Sequence, residues 1–446
     1  MRFGVTVPVV PLLCIGGLLC ASGLVRAADD DYEASTARFQ ATYVRQNKPA
    51  FNAAYSGPNS LGAEKAMSYT ATMTGYFGFR PWTGGEFYLD PEITQGVPFS
   101  GLEGSAGFTN GELTRTASQK PHMYRQRLFL RQTWNLGGGD EKVEAGLNQM
   151  AGTVDKNRFV LTLGNFSTLD VFDGNRYAKD PRAQFMNAGF MTYLAYDYAA
   201  DARGFGVGFA AEWYRDDWVL RFGRMSGPKD PNMLPTDFQL GKHYGDQIEV
   251  EHDHTLLGQP GAVRVLAWRN RARLARFDDA REYLQANPGA DPQAIFAVRN
   301  NEQIKYGLGV NVEQAISDDL GVFLRAMKAD GRTETLAFTE TDGSLSTGAT
   351  LKGSAWGRAR DTVGVGYLRN TISAERRRYL ESGGVSFFIG DGALRYRPEQ
   401  LAEGYYSAHV WKDAFVTLDL QRMWNPAYNA DRGPVNFAAL RLHAEF

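Results

Sequence analysis

The sequence predicts an all-β fold, a transmembrane antiparallel β-barrel, and three observations lead to this prediction. Apolar and polar residues alternate with a period of two along most of the chain. Glycine is frequent, at 49 of 446 residues, and it accompanies 27 Phe and 21 Tyr. The chain ends in an alternating segment whose last residue is Phe446. After residue 28 no apolar run approaches the roughly 18 residues that a membrane-spanning helix needs.

The first 27 residues predict a cleaved signal peptide. Arg2 supplies the positive start, residues 5–19 form an apolar core, and Ala27 closes a small-residue cleavage site. Both cysteines of the chain, Cys14 and Cys20, lie in this segment. The exported chain therefore has neither disulfides nor thiolate metal sites.

Residues 28–65 differ from the rest of the chain because they are polar and end in a turn-rich stretch. Phe39, Tyr43 and Val44 are placed at helical spacing. These features predict an N-terminal arm over 28–65, helical or irregular, that lies in a lumen or at its rim.

Residues 66–446 predict the barrel itself. Alternating sets such as Tyr306, Leu308 and Val310 face one side of a strand, while glycine or charged residues face the other. A wet polar interior and an apolar exterior fit this pattern better than a dry core does. At about 20–25 residues for each strand and its share of loops, the segment predicts 16 strands, with 18 possible.

The aromatic residues support a membrane barrel. Tryptophans stand near predicted strand ends, as in the interfacial girdles of such barrels: Trp134, Trp213, Trp218, Trp268, Trp356, Trp411 and Trp424. Phe446 shares its strand face with Ala444 and Leu442. A terminal strand of this kind predicts recognition by the barrel-assembly machinery through Phe446.

Composition and motifs exclude several classes of function. A net charge of −2 gives no electrostatic support to nucleic-acid binding. The sequence has no phosphate-binding loop, no His-Glu-x-x-His and no Gly-x-Ser-x-Gly. The chain is therefore predicted not to be an enzyme and to bind no cofactor or metal.

An ordered set of motifs resembles the carbohydrate-selective porins, the OprB family of Gram-negative bacteria, over nearly the whole exported chain. The motifs are 55–61 (YSGPNSL), 86–92 (EFYLDPE), 107–112 (GFTNGE), 127–133 (RLFLRQT), 170–182 (DVFDGNRYAKDPR), 184–187 (QFMN), 388–392 (FIGDG), 396–399 (YRPE), 425–429 (NPAYN) and 431–434 (DRGP). The resemblance implies a 16-stranded barrel in the outer membrane that passes small neutral sugars passively into the periplasm, with outer-membrane lipid around it.

A pore that favours sugars needs donors and acceptors for hydroxyl groups, and two neighbouring strands offer them. Arginine supplies a fixed fork of donors, and carboxylates supply acceptors. Arg125, Arg127 and Arg131 are predicted to share the polar face of one strand. Glu86, Tyr88 and Asp90 stand at strand spacing on its neighbour. These six residues are the predicted lining of the constriction.

Three other functions remain open at this point. The arginine cluster is also compatible with a channel for small organic acids, and the barrel with a polysaccharide exporter. An outer-membrane barrel enzyme is disfavoured because the chain has six scattered histidines and no recognisable nucleophile motif. The sequence leaves open whether subunits associate into a homo-oligomer.

Overall fold

A computed structural model describes residues 32–113 and 115–446, so the predicted signal peptide at 1–27 lies outside the described residues. This part of the chain forms a closed barrel of sixteen strands. Each strand is antiparallel to the strands beside it, and neighbours in the barrel follow one another along the chain. The predicted fold class and the smaller of the two predicted strand numbers are confirmed.

The strands are numbered in chain order. They are β1 (Ser35–Lys48), β2 (Ala66–Trp82), β3 (Gly85–Val97), β4 (His122–Asn135), β5 (Asp140–Val143), β6 (Gly152–Asp155), β7 (Arg158–Phe166), β8 (Gly206–Arg215), β9 (Trp218–Met225), β10 (Tyr244–Leu256), β11 (Gln259–Arg273), β12 (Glu302–Ala315), β13 (Leu320–Ala329), β14 (Gly343–Gly353), β15 (Arg358–Thr371), β16 (Glu399–Trp411), β17 (Ala414–Trp424) and β18 (Val435–Glu445). β5 and β6 pair with each other outside the barrel.

Helices occur in the connections between strands. They are α1 (Ala188–Met191), α2 (Phe277–Ala286), α3 (Ile295–Val298) and α4 (Ala374–Glu381), with 3₁₀ turns at Phe99–Leu102, Thr168–Asp170, Ser354–Trp356 and Pro426–Tyr428. Within residues 32–113 and 115–446 no helix has the length and hydropathy to cross a membrane.

The predicted N-terminal arm is wrong for residues 35–48, which form the barrel strand β1. Phe39 and Tyr43 do not belong to a helix, because they alternate with the buried residues Gln40, Thr42 and Val44. Alternation did not predict this strand, because Val44 lies on the inner face and interrupts the pattern of apolar residues on the outer face. Its partners are also distant along the chain, since β1 pairs with β18 as well as with β2.

The C-terminus closes the barrel against β1. Phe39 and Phe446 exchange two backbone hydrogen bonds, of 2.7 and 2.9 Å. Their rings stack with centroids 5.9 Å apart, and Phe77 meets Phe39 edge-on at 5.6 Å. The last residue of the chain therefore belongs to the seam that joins the first and last strands.

The two ends of the barrel differ in the length of their connections. Short turns such as 216–217, 257–258 and 412–413 lie at one end, and long loops such as 167–205 and 274–301 lie at the other. In membrane barrels the short turns face the periplasm. We call these the periplasmic end and the external end. The 136–157 connection is longer than the other connections at the periplasmic end, because it contains the β5–β6 hairpin.

Tryptophan is concentrated at the periplasmic end. Trp134, Trp213, Trp218, Trp356 and Trp411, together with Trp82, have exposed fractions between 40% and 55%. Trp268 does not belong to this belt. It is only 4% exposed and packs inside the barrel against Met327. Trp424 ends β17 at the external end.

Candidate functional site in the barrel lumen

The 167–205 connection between β7 and β8, here called the inner loop, folds into the lumen because wall side chains bind its backbone. Arg441 donates to the carbonyl oxygens of Pro181 and Gln184, each at 2.8 Å. Glu403 accepts from two consecutive loop amides, at 2.5 and 3.0 Å. These bonds satisfy backbone groups that would otherwise be buried without partners.

Asp173 is the most enclosed anchor of the inner loop. Its carboxylate accepts from Arg325 Nε at 2.9 Å, Asn311 Nδ2 at 2.5 Å and Thr192 Oγ1 at 2.7 Å. Its own backbone N–H donates to Glu249 at 2.8 Å. The side chains of Arg325 and Asp173 are 1% and 0% exposed, so this ion pair is shielded from water.

Aromatic packing fills the lumen on the β13–β16 side. Phe185 and Phe190 stack at 4.5 Å, and Phe185 meets Phe323 and Tyr405 edge-on at 5.5 and 5.0 Å. Gly366 on β15 makes room for the loop, because a Cβ there would lie 2.6 Å from the Phe190 ring. The open path must therefore run along the opposite wall.

That wall, formed by β1, β2, β3 and mainly β4, faces a cavity of about 580 Å³, here called the external-side cavity. Six cationic and five acidic side chains of the described residues line the cavity, so its charges nearly cancel. They are Arg115, Arg127, Arg131, Lys179, Arg182 and Arg203, and Glu92, Glu112, Asp170, Asp180 and Asp201. Aromatic rings, including Tyr76, Tyr124, Phe129 and Phe205, share the lining.

Arg127 reaches this cavity, as predicted. Its Nε and Nη2 atoms bind the two carboxylate oxygens of Asp170 at 2.8 and 2.7 Å. Its Nη1 atom lies 3.4 Å from Asp90, and its guanidinium lies 5.0 Å from the centre of the Phe205 ring. Two carboxylates and an aromatic face thus hold one fork of donors in a single orientation.

Arg131 also lines the cavity, four residues after Arg127 on β4 and therefore closer to the periplasmic end. Its Nη1 atom donates to the carbonyl of Asn148 at 3.1 Å and lies 3.4 Å from Glu86. Asn148 belongs to the 136–157 segment that carries the β5–β6 hairpin, and Leu147 and Gln149 line the same cavity. A periplasmic segment therefore narrows the lumen beside Arg131.

Glu86, Tyr88 and Asp90 support the arginines and do not line the cavity. Tyr88 and Asp90 are fully buried. Tyr88 donates to Glu86 at 3.1 Å, and Asn148 donates to Asp90 at 2.7 Å. The structure places these three residues behind Arg127 and Arg131, whereas all six residues were predicted from the sequence to form the lining.

Arg125 was predicted to line the constriction, but the structure places it on the outer face of the barrel. The β3–β4 register shifts between Asp90 and Pro91, so Asp90 pairs with Arg127 whereas Pro91 pairs with Arg125. Cross-strand partners share a face, and Arg125 is exposed on the outside of the barrel. The extra residue, Gln126, is a β-bulge, which reverses the alternation on one side of it.

Sequence reasoning missed Arg182 and its carboxylates. Arg182 Nη2 lies 2.7 Å from Glu92, and its Nε atom lies 3.3 Å from Glu112. Glu92 also accepts from Tyr124 at 2.5 Å and from Gln126 at 2.7 Å. All five residues line the cavity. Arg182 ends the motif 170–182, which was used only for the family resemblance in the prediction from sequence.

The pKa values of two loop carboxylates, Glu112 and Asp170, shift in opposite directions. Burial raises the pKa of Glu112, and the guanidinium of Arg182 opposes this rise only in part. Burial also acts on Asp170, but there Arg127 and the Ser167 N–H outweigh it and hold the Asp170 pKa below its usual value. Asp170 therefore stays ionised beside Arg127.

A second cavity of about 870 Å³ opens at the periplasmic end. Turn residues such as Asp318, Lys352 and Asp413 line it, and so does Tyr405. Arg182 lines both this periplasmic cavity and the 580 Å³ cavity on the external side. Its side chain therefore stands between the two water-accessible spaces. No group of three or more His, Cys, Asp or Glu side chains in the described ranges could hold a metal ion.

A solved structure shows the same fold. The high-pH structure of Pseudomonas putida OprB matches with a TM-score of 0.68 and 16% identity, covering 93% of this chain and 94% of that one. The low-pH structure of the same protein matches with a TM-score of 0.49 and 12% identity, covering 93% of each chain. A search of curated proteins found no match.

The family comparison is more specific. Residues 79–446 match the family described as "Carbohydrate-selective porin, OprB family". The match covers most of the chain, including every lumen residue discussed above from β3 onward. The chain therefore belongs to the carbohydrate-selective porin, OprB family, and it is a sugar channel of the outer membrane rather than an enzyme.

Proposed function

We propose that the external-side cavity is the selectivity filter of this porin and that its solutes are small neutral sugars. Arg127, Arg131 and Arg182 supply the donors of the filter, and Asp170, Glu92 and Glu112 supply acceptors. The near cancellation of charge along the lining carries the proposal. A neutral solute gains hydrogen bonds there, whereas an ion of either sign meets groups of its own charge.

The ion pairs suit weak and repeated binding. Arg127 is held by Asp170 through two bonds of 2.7 and 2.8 Å, and its Nη1 atom donates to Gln126 at 2.5 Å and to Asp90 at 3.4 Å. One Nη2 hydrogen is left for a solute, on a guanidinium whose orientation is already fixed. A sugar hydroxyl can take a remaining donor without displacing the carboxylate. Binding that is favourable but shallow lets a solute leave as well as enter.

Glu86, Tyr88 and Asp90 are positioning residues in this proposal. Their carboxylates and hydroxyl bind the arginines, Asn148 or one another behind the lining. Replacing them should alter the pore through the orientation of Arg127 and Arg131 rather than through lost contact with sugar.

A channel for small organic acids is the main alternative. Six cations line the cavity, but five carboxylates stand among them, and Glu92 and Asp170 are bound directly to the arginines. An acid would therefore approach paired and not free cations. Reversal potentials in asymmetric salt distinguish the alternatives, because an acid channel should strongly prefer anions.

Single-channel recording with sugar titration tests the proposal. Wild-type current should fall saturably as a neutral monosaccharide is added. The double variant Arg127→Ala, Arg131→Ala should conduct more and be blocked less, because two long side chains leave the narrowest wall.

Arg125→Ala is the matched control, since it removes the same residue type from the outer face of β4. Its conductance and sugar block should equal those of the wild type. Unchanged block in the double variant would contradict the filter assignment, and strong anion preference in the wild type would favour the acid channel.

Two further proposals concern the removal of the signal peptide and the recognition of the last strand during assembly. Removal of residues 1–27 would leave a mature protein that starts shortly before β1. The assembly machinery would recognise the last strand through Phe446, which is 43% exposed on the outer face of the barrel seam. Mass spectrometry of the outer-membrane protein tests the cleavage site, and a mass that retains residues 1–27 would contradict it.

A further inference from the structure

A cluster of cationic side chains covers the outer face of β9–β13 at the external end. Along β11 the outward positions are Val265, Ala267, Arg269, Arg271 and Arg273, because the residues between them are buried in the lumen. The outer face of this strand thus changes from apolar to cationic within one residue pair.

Neighbouring strands extend the cluster into a patch. The arginine patch consists of Arg224, Lys242, Arg269, Arg271, Arg273 and Lys328, with Asp246 and Glu302 among them. Asp246 lies 2.7 Å from Arg224 and 3.0 Å from Arg269. Glu302 lies 2.6 Å from Arg271 and 3.3 Å from Lys242.

Two carboxylates shared by six cations leave the patch with a strong positive excess. The side chains of Arg269 and Arg271 remain 53% and 40% exposed despite their ion pairs. Arg273 is exposed, and none of the described residues forms an ion pair with it. The patch therefore has unused donors that point away from the barrel.

The position of the patch along the barrel axis identifies its surroundings. Directly below it, on the same strands, lie the exposed apolar side chains Val250, Val265 and Val310, which pair with one another across the strands. Lipid chains must cover this band. Tyr306, which pairs with Arg269 across strands and is 51% exposed, stands at the boundary. The patch consequently lies at the level of the headgroups of the outer leaflet.

The opposite end of the same five strands is different. Their outer face there carries Trp218, His252, His254 and Leu256, and within these described strands it has no Arg or Lys. The charge is therefore specific to the outer leaflet and is not a general property of strand ends.

We propose that the arginine patch binds the phosphate groups of an anionic glycolipid in the outer leaflet. Arginine forks match phosphate oxygens in a bidentate geometry. The spacing of Arg269, Arg271 and Arg273 along one strand presents several forks to one headgroup. A lipid is the occupant because the patch is continuous with the lipid-covered band. This inference is independent of the proposed sugar filter, whose residues face the lumen.

The purified barrel in detergent, titrated with a bisphosphorylated lipid A and followed by native mass spectrometry, tests the proposal. The triple variant Arg269→Gln, Arg271→Gln, Arg273→Gln should bind this lipid about 100-fold more weakly, the combined effect of three cations at a headgroup surface. The triple variant Arg45→Gln, Arg369→Gln, Arg422→Gln loses the same charge from exposed positions on three other strands, β1, β15 and β17, and should change binding by less than about threefold.

Arg273→Gln alone serves as a second variant, because it disrupts no ion pair of the described residues, and it should weaken binding about fivefold. Single-channel conductance should stay at the wild-type value in all variants. The proposal is overturned if the patch triple variant keeps wild-type affinity, if the control triple variant loses as much, or if lipid A without phosphates binds the wild type equally well.

Discussion

Replacing Arg325 by methionine should release the inner loop from the barrel wall and widen the pore. Arg325 Nε binds Asp173 at 2.9 Å, and its Nη1 atom donates to the Phe190 carbonyl at 3.0 Å. Methionine can replace neither bond. Asp173 would keep Asn311 and Thr192 as neutral partners. The Lys179 ammonium, which donates to the Asp173 backbone carbonyl at 3.0 Å, would be the cation left nearby.

The magnitude follows from the burial of the pair. Because the two side chains are 1% and 0% exposed, the variant leaves the Asp173 carboxylate without its guanidinium partner inside the protein. Breaking a buried pair in this way costs about 3–5 kcal/mol. The lost bond to the Phe190 carbonyl adds about 1 kcal/mol. This cost weakens the attachment of the inner loop, since Asp173 is in the loop and the barrel strands keep their own hydrogen bonds.

Single-channel recording and limited proteolysis check this prediction. Arg325→Met should show higher and noisier conductance, and a protease should cut within 167–205 faster than in the wild type. The variant Asp173→Leu, Arg325→Met replaces both charges by apolar groups and should recover most of the loss, because no carboxylate is left unpaired. Wild-type conductance and wild-type cleavage in Arg325→Met would refute the reasoning.

Three further predictions concern the lumen and the seam. Burial lowers the pKa of Lys179 to about 8, with Asp173 opposing, so the ammonium in the cavity is charged below that pH and neutral above it. Reversal potentials should therefore shift toward cations between pH 7 and 9, and an equal shift in Lys179→Met would contradict this. Asn148→Ala removes the 2.7 Å bond to buried Asp90 and should destabilise the barrel by about 1–3 kcal/mol in urea unfolding, whereas an unchanged midpoint would count against it. Deleting Phe446 removes the ring stack and the backbone pair with Phe39, so less heat-modifiable barrel should reach the outer membrane; wild-type amounts would show that the seam tolerates its absence.

The barrel was predictable because its signal is local. Alternation such as that of Tyr306, Leu308 and Val310 is repeated strand after strand, and an apolar exterior requires it of every strand. β1 shows the limit of this signal. Its inner face carries Val44, which breaks the apolar alternation, and its pairing with β18 joins opposite ends of the chain.

The candidate site was predictable only in part. Arg127 and Arg131 lie at the lumen cavity, on the strand face where alternation places polar residues, and their role toward a sugar stays a prediction. Arg125 was misplaced since a single bulge residue, Gln126, reverses the alternation, and the sequence contains no mark of it. Arg182 was missed because it belongs to a loop and not to a strand.

By itself, the sequence determined the class of the molecule: a membrane barrel of sixteen alternating strands whose motifs resemble sugar porins. The tertiary structure decided which wall of the lumen is open. That choice depends on where a 39-residue loop is bound, from Ser167 to Phe205, and its anchors Arg325, Glu403 and Arg441 lie on strands far away along the chain. Contacts between such distant residues leave no local pattern, so periodicity predicts the wall of the pore but not its constriction.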